Sequence, residues 1–374
     1  MKEFQGILLI AGDGAPGRIL FNLGNLLQED KISFKWVPQQ GSVAEKILQT
    51  ERVNFFAYNK HELENAVQNS SIIITGSSSR FFQIEHDATV VAFEHNVPVI
   101  RIMDYPMAGN EHIDVVVESW CKNNMPPFII TALNKKHQLA ITNRYPNVIN
   151  HVHVIGNPLH YNLDNMFVNG MQQSIKTLRN QHNIHTDVVI GIFLSGNNES
   201  EFFEFLELTD EFTKCLFDIT KNVTFLLNCH DETSVWFSNV KKKIDIWQEK
   251  GAAVCENISQ DEIIVMSDFI FTVPFSTTGM RSLCIGKPPL YGLTSSMMNG
   301  LSTIYSSKHF PYLPELICRG SSFLTPQSNT IIKTVNDMLS IDMQKVKFET
   351  AKNNQILYPN FAMESLVNLI KQII

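Results

Sequence analysis

Residues 276–279, Ser-Thr-Thr-Gly, are the part of the sequence whose residue types most directly imply chemistry. An apolar run, Phe269–Val273, precedes them, and a short helical segment follows them. The first N–H groups of a helix have no partner within the helix, and the positive end of the helix dipole lies there. Hydroxyl groups at the same place add further donors. The sequence therefore predicts a site for a phosphate or another anion at Ser276, Thr277, Thr278 and Gly279.

Two more strand ends in the second half of the chain carry polar residues. Ser195, Gly196 and Asn197 follow the apolar run 187–194, and His230 follows the run 224–228. Backbone N–H groups of a Ser-Gly turn can contact phosphate, although Ser and Asn are also preferred helix caps. Histidine titrates near neutrality, so His230 could bind a diphosphate, move a proton or be purely structural.

The first half of the chain places carboxyl groups at strand ends. Asp104 ends the apolar run 98–103, Glu85 lies early in the preceding helical segment, and Asp13 lies in the loop 12–17. A carboxylate at the carboxyl edge of a parallel sheet can deprotonate a substrate hydroxyl, so all three are candidate catalytic residues. The neighbouring small residues are candidate substrate contacts: Gly12, Gly14, Ser77 and Ser78. Arg80 and Arg101 could bind phosphate or carboxylate, or form surface salt bridges.

Residues 12–17, Gly-Asp-Gly-Ala-Pro-Gly, also match the G-x-G-x-x-G pattern of dinucleotide-binding proteins. That function needs an acidic residue at the end of the second strand, where it would bind a ribose. Here the strand 33–37 runs into Pro38-Gln39-Gln40, with no acid. The missing acid argues against a nicotinamide dehydrogenase. The glycine-rich loop then either lets a substrate approach the backbone or is a purely structural tight turn.

Short apolar runs alternate with longer helical patterns along the whole chain, which is typical of parallel sheets covered by helices on both faces. The predicted strands of the first half are 6–11, 33–38, 53–57, 71–75, 98–103, 115–117, 128–131 and 152–155. Those of the second half are 187–194, 224–228, 252–254, 269–273 and 289–293. Ser259 to Glu262 form a capping-box sequence that predicts a helix start.

Composition limits the class of protein. A chain of 374 residues is long enough for two domains. A net charge of −7 disfavours a nucleic-acid surface. The six cysteines form no CxxC pair and lie mostly in apolar runs, so we expect reduced thiols in a cytoplasmic protein. The apolar run near the N-terminus is too short for a secretory signal or a membrane span, and neither a metal site nor a cofactor is expected.

Two segments resemble those of a known family. Residues 267–289 (SDFIFTVPFSTTGMRSLCIGKPP) resemble the donor-nucleotide motif of GT-B glycosyltransferases and nucleotide-sugar epimerases. Residues 151–159 (HVHVIGNPL) resemble the Gly-Asn-Pro junction between the domains of bacterial GT-B enzymes. Examples are the lipid II-forming N-acetylglucosaminyltransferase and the hydrolysing UDP-GlcNAc 2-epimerases. The first half resembles a sparsely characterised bacterial branch of this superfamily.

The resemblance implies an α/β protein with two doubly wound, Rossmann-like parallel-sheet domains facing a cleft. Residues 1–157 would form an acceptor domain and 158–359 a nucleotide-donor domain, with 360–374 as a helix that crosses back to the first. Arg281 stands where the family usually carries a ribose-binding Glu. An arginine has donors only, so it would bind a phosphate or carboxylate group, or else form a salt bridge on the surface.

The function implied is metal-independent transfer of a sugar from a nucleotide-activated donor, expected to be UDP-linked. The acceptor would be a saccharide, a lipid-linked sugar or a protein, and a homodimer is a further expectation. Two alternatives stay open. One is epimerisation or hydrolysis of a UDP-sugar on the same fold. The other is a non-catalytic protein that binds a nucleotide or a partner, an alternative motivated by Arg281.

Overall fold

The chain divides into two compact units, each built around its own parallel sheet. The first contains the described residues up to Tyr161 together with the last fourteen, and the second contains the described residues from Asn162 to Ser340. The computed structural model describes residues 6–56, 60–77, 83–104, 111–163, 171–195, 199–220, 222–229, 237–255, 258–274, 276–285, 287, 289–297, 322–324, 333–334, 336–338, 340 and 361–374.

The first unit alternates strands and helices along the chain. Its strands are β1 Ile7–Ala11, β2 Phe34–Pro38, β3 Ile72–Thr75, β4 Val99–Arg101, β5 Phe128–Ala132 and β6 Val152–Val154. Its helices are α1 Gly14–Glu29, α2 Val43–Thr50, α3 Lys60–Gln68, α4 Ile84–Glu94, α5 Glu111–Lys122 and α6 Lys135–Arg144. A short 3-10 turn, Pro158–His160, follows β6.

All six strands of this unit pair in parallel, in the order β2-β1-β3-β4-β5-β6. Alternate residues of β1 enter different cores: Leu8 and Ile10 pack into one, Ile7 and Leu9 into the other. Both faces of the sheet are therefore covered, which explains why its central strands β1 and β3 are almost continuously apolar.

The second unit repeats this pattern. Its strands are β7 Val188–Leu194, β8 Val223–Cys229, β9 Ala253–Cys255, β10 Phe269–Thr272, β11 Pro289–Gly292 and β12 Ser322–Leu324. Its helices are α7 Met171–Gln181, α8 Glu199–Ile219, α9 Phe237–Glu249, α10 Gln260–Met266 and α11 Thr277–Cys284. The strand order is β12-β11-β10-β7-β8-β9, all parallel, with Ile190 and Val189 in cores on opposite faces. The predicted pair of doubly wound sheets is confirmed.

Two predicted strands are wrong. Residues 115–117 lie inside α5, because Ile113, Val116, Val117 and Trp120 are buried while Val115 is 46% exposed, the spacing of a helix face. Residues 53–56 form no strand: Val53 N–H closes the end of α2 on the carbonyl of Leu48, and Phe56 N–H makes a single bond to Trp36. Three β-branched residues in a row are thus a weaker signal than helical spacing over a longer segment.

The last helix, α12 Ala362–Ile373, belongs to the first unit. Met363, Leu366 and Ile370 are buried in the same core as Ile7 and Leu9 of β1. None of the helices that the structure describes is long and apolar enough to cross a membrane.

Candidate functional site

The strand order of the first sheet creates a place for a ligand. The chain runs from β1 to β2 on one side and returns to β3 on the other side of β1. Where the strand order reverses, the loops at the carboxyl ends of the two adjacent strands diverge and leave a crevice. These loops carry Gly12 to Gly14 after β1 and Gly76 and Ser77 after β3.

Glu85 connects these two loops. Its side chain is 1% exposed, and Oε1 accepts a hydrogen bond from Gly12 N–H at 3.2 Å. A Cβ at Gly76 would lie 3.1 Å from that oxygen and 2.7 Å from Cγ of Pro16. Glycine is therefore required at position 76 by the close approach of the β1 and β3 loops, and Glu85 fills the space between them.

Asp104 lies beside Ser77, after the end of β4. The Ser77 hydroxyl donates a hydrogen bond to Oδ1 of Asp104, and the Asp104 side chain is 6% exposed. Burial raises the pKa of Asp104 to about 6, although the bond from Ser77 lowers it; the charges of Asp13 and Glu85 also raise it. A carboxyl group with this pKa changes its protonation state close to neutral pH, which suits a general base or acid.

Arg101, the last residue of β4, is 2% exposed. Its Nε and Nη1 are buried and have no hydrogen-bond partner. Burial lowers the pKa of Arg101, while the negative charges of Glu85 and Asp104 raise it. The guanidinium therefore interacts electrostatically with both carboxyl groups. The surface salt bridge considered for Arg101 is not what the structure shows, and Arg80 lies outside the described residues.

Asp13 and the glycines of its loop have local roles as well. The Asp13 carboxylate caps α1 by accepting a hydrogen bond from Gly14 N–H at 2.7 Å. A Cβ at Gly17 would lie 2.9 Å from the backbone of Ala44, so this glycine lets α1 and α2 pack closely. The third glycine of the G-x-G-x-x-G pattern is thus explained by helix packing. Gly12, Asp13, Gly14 and Ser77 lie in or next to the two loops of this switch point. Glu85 of α4 and Asp104 after β4 contact these loops through Gly12 and Ser77, and Ser78 lies outside the described residues.

The second sheet has its switch point between β7 and β10. Phe193 near the end of β7 pairs with Thr272 of β10, and Leu194 pairs with Cys229 of β8. The three strands that lead into the predicted anion loops therefore end side by side at one edge. Ser195 is the first residue after β7 and Ser276 the N-cap of α11, whereas Gly196, Asn197 and His230 lie outside the described residues.

The start of α11 combines a cap with a close contact. The Ser276 hydroxyl accepts a hydrogen bond from Thr278 N–H at 3.2 Å, so this serine satisfies one first-turn donor itself. A Cβ at Gly279 would lie 2.5 Å from Cε1 of Tyr291 on β11. Glycine is needed here because the tyrosine ring packs against the helix, and Thr277 remains half-buried beside it.

Arg281 does not turn to the surface. Its side chain is 6% exposed and forms an ion pair with Asp261 of α10, whose other carboxyl oxygen accepts a hydrogen bond from Asn162 at 3.0 Å. The arginine's partner is thus a carboxylate of the protein itself. Arg281 Nε is buried without a hydrogen-bond partner, and binding of a nucleotide by this residue stays a prediction.

The lysine of the Gly-Lys-Pro turn also has a structural role. Lys287 Nζ donates to the carbonyl oxygens of Val265 and Ser267, the latter at 2.5 Å, and Arg179 Nε donates to that of Met266 at 2.9 Å. These cations cap the C-terminus of α10, where its dipole is negative. Burial of the ammonium group lowers the pKa of Lys287 to about 7.

Some site features could not be read from the sequence. Asn157, which follows Gly156 in the Gly-Asn-Pro junction, donates from Nδ2 to the backbone oxygen of Asp104 at 2.9 Å. Asp261 lies within the predicted capping box, which is confirmed by the reciprocal bonds of Ser259 and Glu262, and that sequence does not predict its ion pair with Arg281. Within the described part of the chain, no group of three or more His, Cys, Asp or Glu side chains is arranged to hold a metal.

Two doubly wound parallel sheets in consecutive units define the GT-B class of fold, and solved structures of that superfamily are similar to this chain. MnaA of S. aureus, in complex with UDP, is 14% identical, with a TM-score of 0.68 over 98% of this chain and 96% of that one. A UDP-GlcNAc 2-epimerase from Neisseria meningitidis, bound to UDP-GlcNAc, is 12% identical, with a TM-score of 0.62 over 98% and 99% of the two chains.

MurG of Acinetobacter baumannii is 10% identical, with a TM-score of 0.58 over 99% of both chains. No protein-family model matches the sequence, and no curated protein sequence matches it either. The resemblance to GT-B glycosyltransferases and UDP-GlcNAc 2-epimerases is therefore confirmed by structure, at the level of the fold.

Proposed function

We propose that this chain is a metal-independent glycosyltransferase that uses a UDP-linked sugar. The observation that carries the proposal is Asp104, a buried carboxyl group whose pKa is raised to about 6 and which is bonded to Ser77, next to the switch point of the first sheet. It has the acidity and the place of a general base for an acceptor hydroxyl. The UDP and UDP-GlcNAc found in structures of similar fold support a nucleotide sugar as the donor.

Residues 1–157 would hold the acceptor and residues 158–359 the donor. The diphosphate would contact Ser195, Thr277 and Gly279, with Gly196, Asn197 and His230 as further expected contacts. Helix N-termini and hydroxyl groups can stabilise the charge that develops on the leaving diphosphate without a metal ion. Asp104 would take the proton of the acceptor. Its burial, with a smaller effect from the charges of Asp13 and Glu85, would keep its pKa high.

A UDP-sugar epimerase or hydrolase is the second candidate. It is favoured by the convergence of Asp13, Glu85 and Asp104, because such reactions need several acid–base groups in one site. A cytoplasmic location in a bacterium would suit either activity. It rests on the resemblance to bacterial enzymes and on the thiols, of which Cys121, Cys215 and Cys255 are free.

A thermal-shift screen against UDP, GDP, CDP and dTDP tests the donor site. The preferred diphosphate should stabilise the protein by about 2.7 kcal/mol at a hundredfold excess over Kd. Thr277→Val, which removes one hydroxyl at the start of α11, should weaken the shift. Thr177 is an exposed threonine in α7 of the same unit, so Thr177→Val is the matched control and should leave the thermal shift unchanged.

Turnover of the UDP-sugar, followed by NMR with and without added saccharide acceptors, then separates the candidates. A transferase needs the acceptor, an epimerase or hydrolase converts the UDP-sugar alone, and a binding protein shows a shift but no turnover. Asp104→Asn should keep the thermal shift and lower turnover by about a hundredfold or more. Full turnover by Asp104→Asn would exclude Asp104 as the base and move that role to Glu85 or Asp13.

A further inference from the structure

Three successive residues, 102 to 104, each form a hydrogen bond to a different element of the first unit, and these bonds hold the backbone around Asp104. Ile102 N–H donates to the carbonyl of Thr75 on β3 at 2.8 Å, and Met103 N–H donates to Oγ1 of Thr131 on β5 at 2.9 Å. The third bond joins the carbonyl oxygen of Asp104 itself to Nδ2 of Asn157, also at 2.9 Å. The first two come from neighbouring strands, whereas the third comes from the segment after β6.

Asn157 is built for this contact. It is 7% exposed, and its Oδ1 accepts a hydrogen bond from Leu159 N–H at 3.0 Å, which caps the 3-10 turn Pro158–His160. Gly156 precedes it with a φ of +94°, a conformation that few residues other than glycine adopt. With the chain turned in this way, Oδ1 of Asn157 bonds to the 3-10 turn and Nδ2 bonds to the backbone of Asp104.

We propose that Asn157 is a positioning residue for Asp104: its amide fixes the backbone of Asp104 and thereby the direction in which the carboxyl group meets Ser77. The inference rests on the proposed role of Asp104 as the base. The Asp104 carboxylate accepts a hydrogen bond from Ser77, and the geometry of that bond depends on the backbone of Asp104. Loss of the Asn157 contact weakens it.

Asn157→Ser is the test variant, because serine is also a good N-cap and keeps the turn, but it is too short to reach Asp104. Asn134→Ser is the matched control. Asn134 caps α6 in the same unit, accepting a hydrogen bond from His137 N–H at 2.9 Å, and no bond joins it to Asp104. The ionisable groups that face Asp104, namely Asp13, Glu85 and Arg101, are unchanged in both variants.

The first readout is the pKa of the Asp104 carboxyl, measured by carbon-13 NMR on aspartate-labelled protein and assigned with Asp104→Asn. A weaker hydrogen bond from Ser77 to the carboxylate disfavours the charged form, so Asn157→Ser should raise the pKa by about half a unit to one unit. Asn134→Ser should leave it unchanged. An unchanged pKa in Asn157→Ser would overturn the inference, whatever the activity of the protein.

The second readout is turnover against pH. The acidic limb of the kcat profile should move up with the pKa in Asn157→Ser, with about a two- to fivefold lower kcat near pH 6 and an unchanged KM for the donor. If the pH profile of kcat is unshifted in Asn157→Ser while Asp104→Asn is inactive, the positioning role of Asn157 is overturned and the proposed function stands. Active Asp104→Asn would overturn the proposed base, while the NMR titration still decides the positioning of Asp104. Asn157→Thr, also a capping residue, is the substitute if the serine variant does not fold.

Discussion

The first unit buries two carboxyl groups and a guanidinium next to the loops where its strand order reverses. Asp104, Glu85 and Arg101 are all at least nine-tenths buried there, and Arg101 has two nitrogen atoms without partners. Burial of charge costs free energy, so such groups are rare unless they are paired or have a function. The free-energy cost of ionising the buried Asp104 can be measured from protein stability, without an activity assay.

Asp104→Asn is expected to stabilise the protein above pH 6. The pKa of Asp104 is raised in the fold from 3.8 to about 6, so the folded protein binds a proton more tightly than the unfolded chain does. The free energy of unfolding therefore falls as pH rises through this window. Asparagine stays neutral, so the variant should gain on the order of 2–3 kcal/mol at pH 8.

Urea unfolding of the wild type and Asp104→Asn at pH 8 and at pH 4 measures this effect. The gain should shrink towards zero at pH 4, where the aspartate is protonated in the folded protein. A gain of equal size at both values would show that the asparagine improves packing and that the carboxyl group carries no ionisation cost.

Arg281 and Asp261 are expected to act as a pair. The Arg281 side chain is 6% exposed and that of Asp261 16%, so removing either partner leaves a largely buried charge. Arg281→Met and Asp261→Asn should each cost about 2–4 kcal/mol, and the double variant should cost less than their sum by at least about 1 kcal/mol. Additive costs in urea unfolding would contradict the pair and leave Arg281 available to a ligand.

At the scale of elements, β12 was not predicted, because the three residues Ser-Phe-Leu give no clear apolar run. The other strands of both sheets were predictable because parallel strands buried on both faces are largely apolar. Ile72–Thr75 and Val188–Leu194 illustrate this. The sequence showed that glycines follow the strands, but it did not show which contacts require a glycine there. Gly17 packs against Ala44 and Gly76 against Pro16, partners that no sequence spacing reveals. The Arg281–Asp261 pair was hidden for the same reason, since the two residues lie on different helices.

Gly279→Ala tests the contact between α11 and β11. The new methyl group would overlap the ring of Tyr291, which is 1% exposed, and overpacking of this kind costs about 1–3 kcal/mol. Tyr291→Leu shortens the side chain, so Gly279→Ala should cost much less in that background. The coupling is measured by urea unfolding of the four proteins. Equal costs in both backgrounds would show that the glycine serves something other than this packing.

At the scale of the whole molecule, the sequence predicted two doubly wound units, because the alternation of strands and helices restarts after the Gly-Asn-Pro junction. It could not predict that Asn157 of this junction binds the backbone of Asp104, since the two positions are 53 residues apart. The junction is therefore more than a connection between units. It forms part of the structure around the candidate base.

The last helix should stabilise the first unit selectively. Leu366 of α12 is fully buried in the core that contains Ile7 and Leu9, far from it in sequence. Leu366→Ala should cost about 2–5 kcal/mol and speed hydrogen exchange in peptides of β1 and β3. Leu216→Ala, a fully buried leucine of α8 in a core of the second unit, is the matched control and should speed exchange around β7 and β10 instead. Mass spectrometry of exchange resolves the two patterns. Equal loosening of both units by either variant would show that they unfold as one cooperative body, in spite of their separate cores.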